Sequence, residues 1–308
     1  MAKKSKATQQ LTIDQFDQLF PDEDACKEYL VSRRWPDGVK CPRCGNRNVY
    51  ELTAMPYKWE CAQCAEGNAY RFSILVGTIF ENTNVPLRTW FRVIHLMLSS
   101  KKGISALQIH RMIGTGSYRT AWYMCHRIRA GMTDRNFRKL TGFVEVDETY
   151  IGGKAKNRHK NKRGGPGGTG SAGGRGGYGK AVVAGAVQRK GRVVARVIAN
   201  VSTKTLGRFV RETVSDKVSL ISTDCNRVYH RLGREFPHGA VDHLHGQYVA
   251  GAVHTNTIEG FWSMVKRGVV GTFHKVSAKY LPLYVSEFEF RYNNRANSDI
   301  FGTAIAAC

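Results

Sequence analysis

Apolar residues recur at different periods along the chain, and the changes of period mark its organisation. Leu11, Phe16, Phe20 and Tyr29 stand among acidic residues as an amphipathic helical stretch. Residues 85–131 carry apolar positions three and four apart, with Trp90, Val93, Ile94, Met97 and Leu98 on one stripe, which predicts helices. From Thr141 the period drops to two. Phe143, Glu145 and Asp147 alternate with Val144 and Val146, so the two sets face opposite sides of a strand. Two further strands are predicted at 181–188 (AVVAGAVQ) and 192–200 (RVVARVIAN), joined as a hairpin by Arg189-Lys190-Gly191. Behind Ser202 and Thr203, which can cap a helix, Leu206, Phe209, Val210 and Val214 form a helical stripe. The run Val218 to Ile221 predicts a strand ending at Thr223-Asp224, and another helix begins near Thr255. Phe288, Phe290 and Tyr292, followed by Asn293 and Asn294, predict a last helix packed on the sheet.

These changes divide the chain into a basic N-terminus with a short helical segment (1–35), a cysteine module (36–72), a helical region (73–138), an α/β domain (139–296) and a C-terminal tail (297–308). The segment Gly152 to Lys180 interrupts the α/β domain with 12 glycines and 8 Lys/Arg in 29 residues and no acid, so it lacks the apolar surface to order itself. It either wraps DNA or is a solvated insertion.

Charge adds the partner. The 308 residues hold 47 Lys+Arg against 24 Asp+Glu, a net +23, while 42% are hydrophobic. That is enough apolar material for a sizeable core, which excludes a basic disordered tail. The cationic excess favours a polyanion, nucleic acid ahead of an anionic membrane surface. The longest apolar stretch, Phe72 to Phe80, is far short of the ~20 residues of a spanning helix. The start MAKKSKATQQ has no apolar core of a secretory signal, so a soluble intracellular protein is expected.

Four of the eight cysteines fall as Cys41-Pro-Arg-Cys44 and Cys61-Ala-Gln-Cys64, the C-x2-C-x16-C-x2-C spacing of a tetrahedral zinc site. Four protein ligands leave no open coordination position, so Zn2+ is expected to be structural. The module is then either a staple that only closes a small fold or a nucleic-acid-binding surface made by Arg43, Arg47, Lys58 and Arg71 and the aromatic residues Trp35, Tyr57 and Trp59. Cys26, Cys125, Cys225 and Cys308 read as ordinary thiols.

Gly103 to Met132 reads as two short helices, with Ile104, Leu107 and Ile113 on the first, a break at Gly114-Thr115-Gly116, and Ala121, Trp122, Met124 and Ile128 on the second. This is helix-turn-helix spacing, which would lead Ser117, Tyr118, Arg119 and Thr120 into the major groove; a pair of core helices has the same pattern.

Asp147 and Asp224 each end an apolar strand. Either alone is a turn or capping residue, but on neighbouring strands the pair can chelate a divalent metal. In Asn256-Thr-Ile-Glu259-Gly-Phe-Trp-Ser-Met-Val-Lys266-Arg267, Asn256, Glu259, Ser263 and Lys266 share one helix face, while Ile258, Phe261, Trp262 and Val265 can pack on the sheet. Phosphodiester chemistry uses such a set around two metals about 3.5–4 Å apart, with the lysine on substrate phosphate. Glu145 shares the face of Asp147 and is a supporting position; Glu148 should face the other way. His254 reads as a candidate contact to metal or phosphate, and Asp242, His243 and His245 precede it in a segment that either lines the site or, the preferred reading, is structural.

VEVDETYIGG around Asp147, ISTDCN around Asp224, and HTNTIEGFWSMVKRG, with 34 residues between Asp224 and Glu259, resemble the Asp-Asp-Glu transposases of bacterial insertion sequences. The group with an N-terminal zinc ribbon is most similar, and GTIFENTNVPL and EFEFRYNNR extend the resemblance over residues 15–296. It implies a ribonuclease-H-like mixed sheet with flanking helices, in agreement with the strand order above. It also implies Asp147 and Asp224 as Mg2+ (or Mn2+) ligands, with Asn256 or Glu259 as the third. Glu259 is preferred because a carboxylate binds Mg2+ better than an amide and because Glu259-x6-Lys266 is the usual Glu-Lys spacing. The implied activity is 3′-end cleavage at terminal inverted repeats and strand transfer into target DNA, by a dimer or larger synaptic assembly, in the cytoplasm on the nucleoid. A structure-selective nuclease or junction resolvase of the same fold, and a non-catalytic zinc-ribbon and helix-turn-helix regulator, are the alternative readings.

Overall fold

Five strands form the sheet that carries the acidic residues: β4 (Leu140–Ile151), β5 (Ala181–Gln188), β6 (Val193–Ile198), β7 (Val214–Asp224) and β8 (His238–Val241), in the order β6-β5-β4-β7-β8. They belong to a computed structural model that describes residues 11–64, 70–134, 137–152, 180–242 and 249–308. The glycine-rich loop at 152–180 therefore lies almost wholly outside the described residues, as do His243 and His245. β4, β5 and β6 are antiparallel in succession, whereas β7 and β8 run parallel to β4 and to each other. This mixed order is that of the ribonuclease-H-like class expected from the sequence.

The alternation in β4 sorts its side chains as the sequence predicts. Val144 and Val146 pack with Leu206, Phe209 and Val210 of α6 (Thr203–Thr213) on one face. Ser202 starts α6 by accepting the Thr205 N–H at 3.2 Å, and at Val214 the chain turns directly into β7. On the opposite face Val183, Val187 and Val193 are covered by Ile258, Phe261, Trp262 and Val265 of α7 (Asn256–Gly271) and by Val285 and Phe288 of α8 (Leu281–Asn293). Each such aliphatic or aromatic side chain removed from water contributes ~1.5–3 kcal/mol before entropy is counted. Close approach of α7 depends on Gly185 of β5. A Cβ there would lie 2.5 and 2.7 Å from ring carbons of Trp262 and 3.1 Å from Ile258 Cδ1.

The chain forms two compact units, Asp134–Arg295 around this sheet, and Met1–Thr133 together with Ala296–Cys308. In the second unit α1 (Ile13–Leu19), α2 (Glu23–Arg34) and α3 (Leu87–Ser99) surround an aromatic cluster of Phe16, Phe20, Tyr29 and Phe91. Residues 297–308, expected as a tail, instead form α9 (Ile300–Ala307), and Phe301 closes that cluster 5.5 Å from Phe20 and 5.8 Å from Phe91. Phe301 also meets Phe16 at 6.1 Å and Tyr29 at 6.1 Å, and this aromatic packing explains the return of the chain. Among the described residues no helix is long and apolar enough to cross a membrane.

Candidate active site and cysteine cluster

Asp147 and Asp224 come together through the parallel pairing of β4 with β7. Glu145 is in register with Ser222, and each aspartate lies two residues further along its strand. On the other side Asp147 is in register with Gly185, beneath α7. Burial pushes the Asp147 carboxyl up to about 7, reinforced by the charges of Glu148, Asp224 and Glu259. The charges of Glu148, Asp224 and Glu259 thus all reach the buried Asp147 carboxyl. That is the electrostatic condition a divalent cation relieves, so the donor set fits a magnesium or manganese ion.

Each acid has its own support. Asp224 Oδ1 accepts the N–H of Asn226 at 3.2 Å, and the Asn226 side chain caps the 3-10 turn Arg227–Arg234. Glu148 points to the α6 face, where it accepts the hydroxyl of buried Tyr229 and, at 3.4 Å, the amide of Asn226. Glu259 Oε1 accepts the Thr255 hydroxyl at 2.9 Å. Glu145 is fully buried and is bonded by Arg189, Thr257 and Ile258. Asn256, Glu259, Ser263 and Lys266 all lie on the exposed face of α7, while Arg267 donates to Ser263 O at 3.2 Å along its own helix.

The cysteine pairs meet in the other unit. Cys41 and Cys64 sulfurs are 3.9 Å apart, those of Cys44 and Cys61 are 3.6 Å apart, and all four lie within 4.8 Å of one another. A tetrahedron with ~2.3 Å Zn–S bonds has edges of ~3.8 Å, so the donors fit zinc. Burial opposes ionisation of Cys61, but N–H groups of Cys64 and Gln63 and the neighbouring thiols outweigh it and hold that thiol at about 7. Cys61 ends β2 (Lys58–Cys61), which pairs antiparallel with β1 (Val49–Glu51) and β3 (Tyr70–Ser73), and the other three cysteines lie outside the strands. Among the described residues no other group of histidines, cysteines and acids is as tightly gathered, the Asp147 set included.

Two of the aromatic residues expected on the surface of this module are core. Trp35 is 7% and Trp59 5% exposed, 5.4 Å apart and both against Phe72. Arg71 pairs with Glu60 at 3.0 Å and Arg43 lies over Tyr70 at 4.1 Å, whereas Arg47 and Lys58 are exposed.

Between α4 (Ala106–Ile113) and α5 (Tyr118–Gly131) the chain turns at Gly114, whose φ is +69°. Ile109, rather than Leu107, is the buried residue of α4; Leu107 is 43% exposed. Ser117 caps α5 through the Thr120 N–H at 3.1 Å, and Ser117, Tyr118 and Arg119 are exposed with Thr120 half-buried.

Two family models match the chain, one in each unit. Residues 139–293 match the model of an ISXO2-like transposase domain, and residues 21–66 that of a transposase zinc-ribbon domain. An uncharacterized protein in transposable element ISH50 of Halobacterium salinarum is 28% identical over 277 residues, 88% of this chain and 91% of that protein. An uncharacterized transposase-like protein of Haemophilus influenzae is 32% identical over 106 residues, 34% of this chain and 84% of that protein.

Proposed function

The chain belongs to the family of ISXO2-like transposases, and we propose that it cleaves the 3′ ends of its own mobile element and joins them to target DNA. One observation supports this chemistry above the others: the parallel pairing of β4 with β7 sets Asp147, on the central strand, beside Asp224 and beneath the helix that carries Glu259. Asp147, Asp224 and Glu259 would hold Mg2+ or Mn2+, with Asn256 beside them as the other candidate for the third position. Bound there, two such ions supply charge neutralisation for the attacking and leaving oxygens of an in-line phosphoryl displacement.

The protein side chains orient the rest. Lys266, two turns along the exposed face of α7 from Glu259, would take a substrate phosphate, and Arg267 a neighbouring one. Water is the nucleophile that frees each 3′-hydroxyl, and that hydroxyl then attacks target DNA, so no covalent protein intermediate forms. Joining two ends at once calls for a dimer or larger assembly. Ser117, Tyr118, Arg119 and Thr120 at the start of α5 would read the terminal inverted repeats from the major groove. The cysteine cluster would hold one structural Zn2+.

The reading is tested by incubating the full chain with Mg2+ and DNA ending in the inverted repeats that flank its coding sequence. Strand-transfer products are expected from the wild type and from none of Asp147→Ala, Asp224→Ala and Glu259→Ala. Cleavage without joining would favour a nuclease, and activity surviving all three changes would remove the acids from the mechanism.

A further inference from the structure

Thr255 stands at the N-cap position of α7 yet does not cap it. Its hydroxyl is committed to Glu259, and the first-turn N–H groups that a cap would satisfy go elsewhere. Thr257 N and Ile258 N donate to Glu145 Oε2 at 2.8 and 3.0 Å, and the Thr257 hydroxyl to Glu145 Oε1 at 2.9 Å. A carboxylate 112 residues upstream therefore caps this helix, at the positive end of its dipole.

Glu145 has a counter-charge in Arg189, from the turn after β5, whose Nε donates to Oε1 at 2.7 Å. The other two guanidinium nitrogens donate to the carbonyls of Ala252 at 2.7 Å and His254 at 3.1 Å. His254 Nδ1 is also 3.1 Å from Glu145 Oε1, but off the line of a hydrogen bond. One ion pair thus gathers β4, the β5–β6 turn, residues 252–254 and the first turn of α7. Burying a carboxylate and a guanidinium gives little net stability over an apolar pair, so the gain to be explained is one of position. Asp147 lies two residues beyond Glu145, and Glu259 two residues beyond Thr257.

We propose that Glu145 and Arg189 are positioning residues that set the separation of Asp147 from the α7 acid, Glu145 itself binding no metal. The proposal rests on the metal-centre reading above. Its test uses the full-length variants Glu145→Gln, Arg189→Lys and Thr257→Val beside Asp147→Ala. Mn2+ affinity is measured by electron paramagnetic resonance, hydrogen exchange over 256–262 without metal, and kcat and KM for 3′-end cleavage. The three clamp variants are expected to exchange faster in the first turn of α7. They should bind Mn2+ about tenfold more weakly, and lose kcat at unchanged KM for DNA. Thr257→Val leaves the ion pair whole and carries the test if Glu145→Gln does not fold. Wild-type Mn2+ affinity in the clamp variants, with binding abolished in Asp147→Ala, would overturn the positioning role alone. Binding undisturbed in Asp147→Ala would overturn the metal centre and the positioning role together.

Discussion

The Thr255 hydroxyl donates to Glu259 Oε1 at 2.9 Å, which fixes the acid of α7 from one turn below. Because Glu145 already satisfies the first-turn N–H groups, Thr255→Val leaves the helix capped. It should cost about 1 kcal/mol of stability, the worth of a single hydrogen bond. End cleavage should fall about tenfold, and Thr255→Ser should restore it. Denaturant unfolding and cleavage rates on the same preparations check this; a loss of stability that accounts for the whole loss of activity would make Thr255 merely structural.

Gly185 is where the sheet admits Trp262. Gly185→Ala forces a methyl into the indole ring, and overpacking of this kind costs roughly 1–3 kcal/mol. Cleavage should drop with it, because α7 carries Glu259. Adding Trp262→Leu should recover stability in the double variant, as read by thermal melts. Additive losses would show that the two residues do not press on each other.

Asp147 gives a pH signature with a definite sign. Folding lifts its carboxyl to about 7 from an unfolded value of ~4, so between those values the folded chain holds a proton the unfolded chain has released. Stability contributed by the protonated acid is full below ~4, declines as pH rises toward 7, and is gone above. Without metal, Asp147→Asn should melt above the wild type at pH 8, by at most about 4 kcal/mol, and match it at pH 4. Mg2+ should narrow the gap by binding only the wild type. A wild type that melts above the variant at pH 8 without metal would refute the raised carboxyl of Asp147.

The zinc ribbon has three strands of only 3, 4 and 4 residues, too little to fold without its ion. Purified protein should contain one zinc per chain. Chelation or Cys61→Ser should erase the near-ultraviolet dichroism of the packed Trp35 and Trp59 and weaken binding to element ends. Retention of both signals after zinc loss would make the metal dispensable.

Local patterns made the acids legible, and non-local partners hid the rest. Alternation in VEVDETYI and the three-and-four spacing of NTIEGFWSMVK put Asp147 and Glu259 on definite faces before any fold was known. Facing, however, does not name a partner. Glu145 had a face, but Arg189, Thr257 and Ile258 reach it only through the assembled sheet, and Arg189 read simply as part of a turn. Gly185 is one small residue inside AVVAGAVQ, and only the assembled fold sets it under Trp262. Trp35 and Trp59, among basic residues, read as surface because Phe72 hides them only once the hairpin forms. The eight residues of α9 gave too short a pattern, since their partners lie at the far end of the chain.

The most direct test of the metal-centred account replaces one oxygen ligand by sulfur. Asp147→Cys should lose end cleavage in Mg2+, which takes hard oxygen ligands, and regain a measurable part of it in Mn2+, which tolerates a thiolate better. Cleavage rates in the two ions decide the matter. Equal loss in both, beside a Thr149→Cys control that loses nothing, or full activity in Mg2+, would contradict Asp147 as a metal ligand.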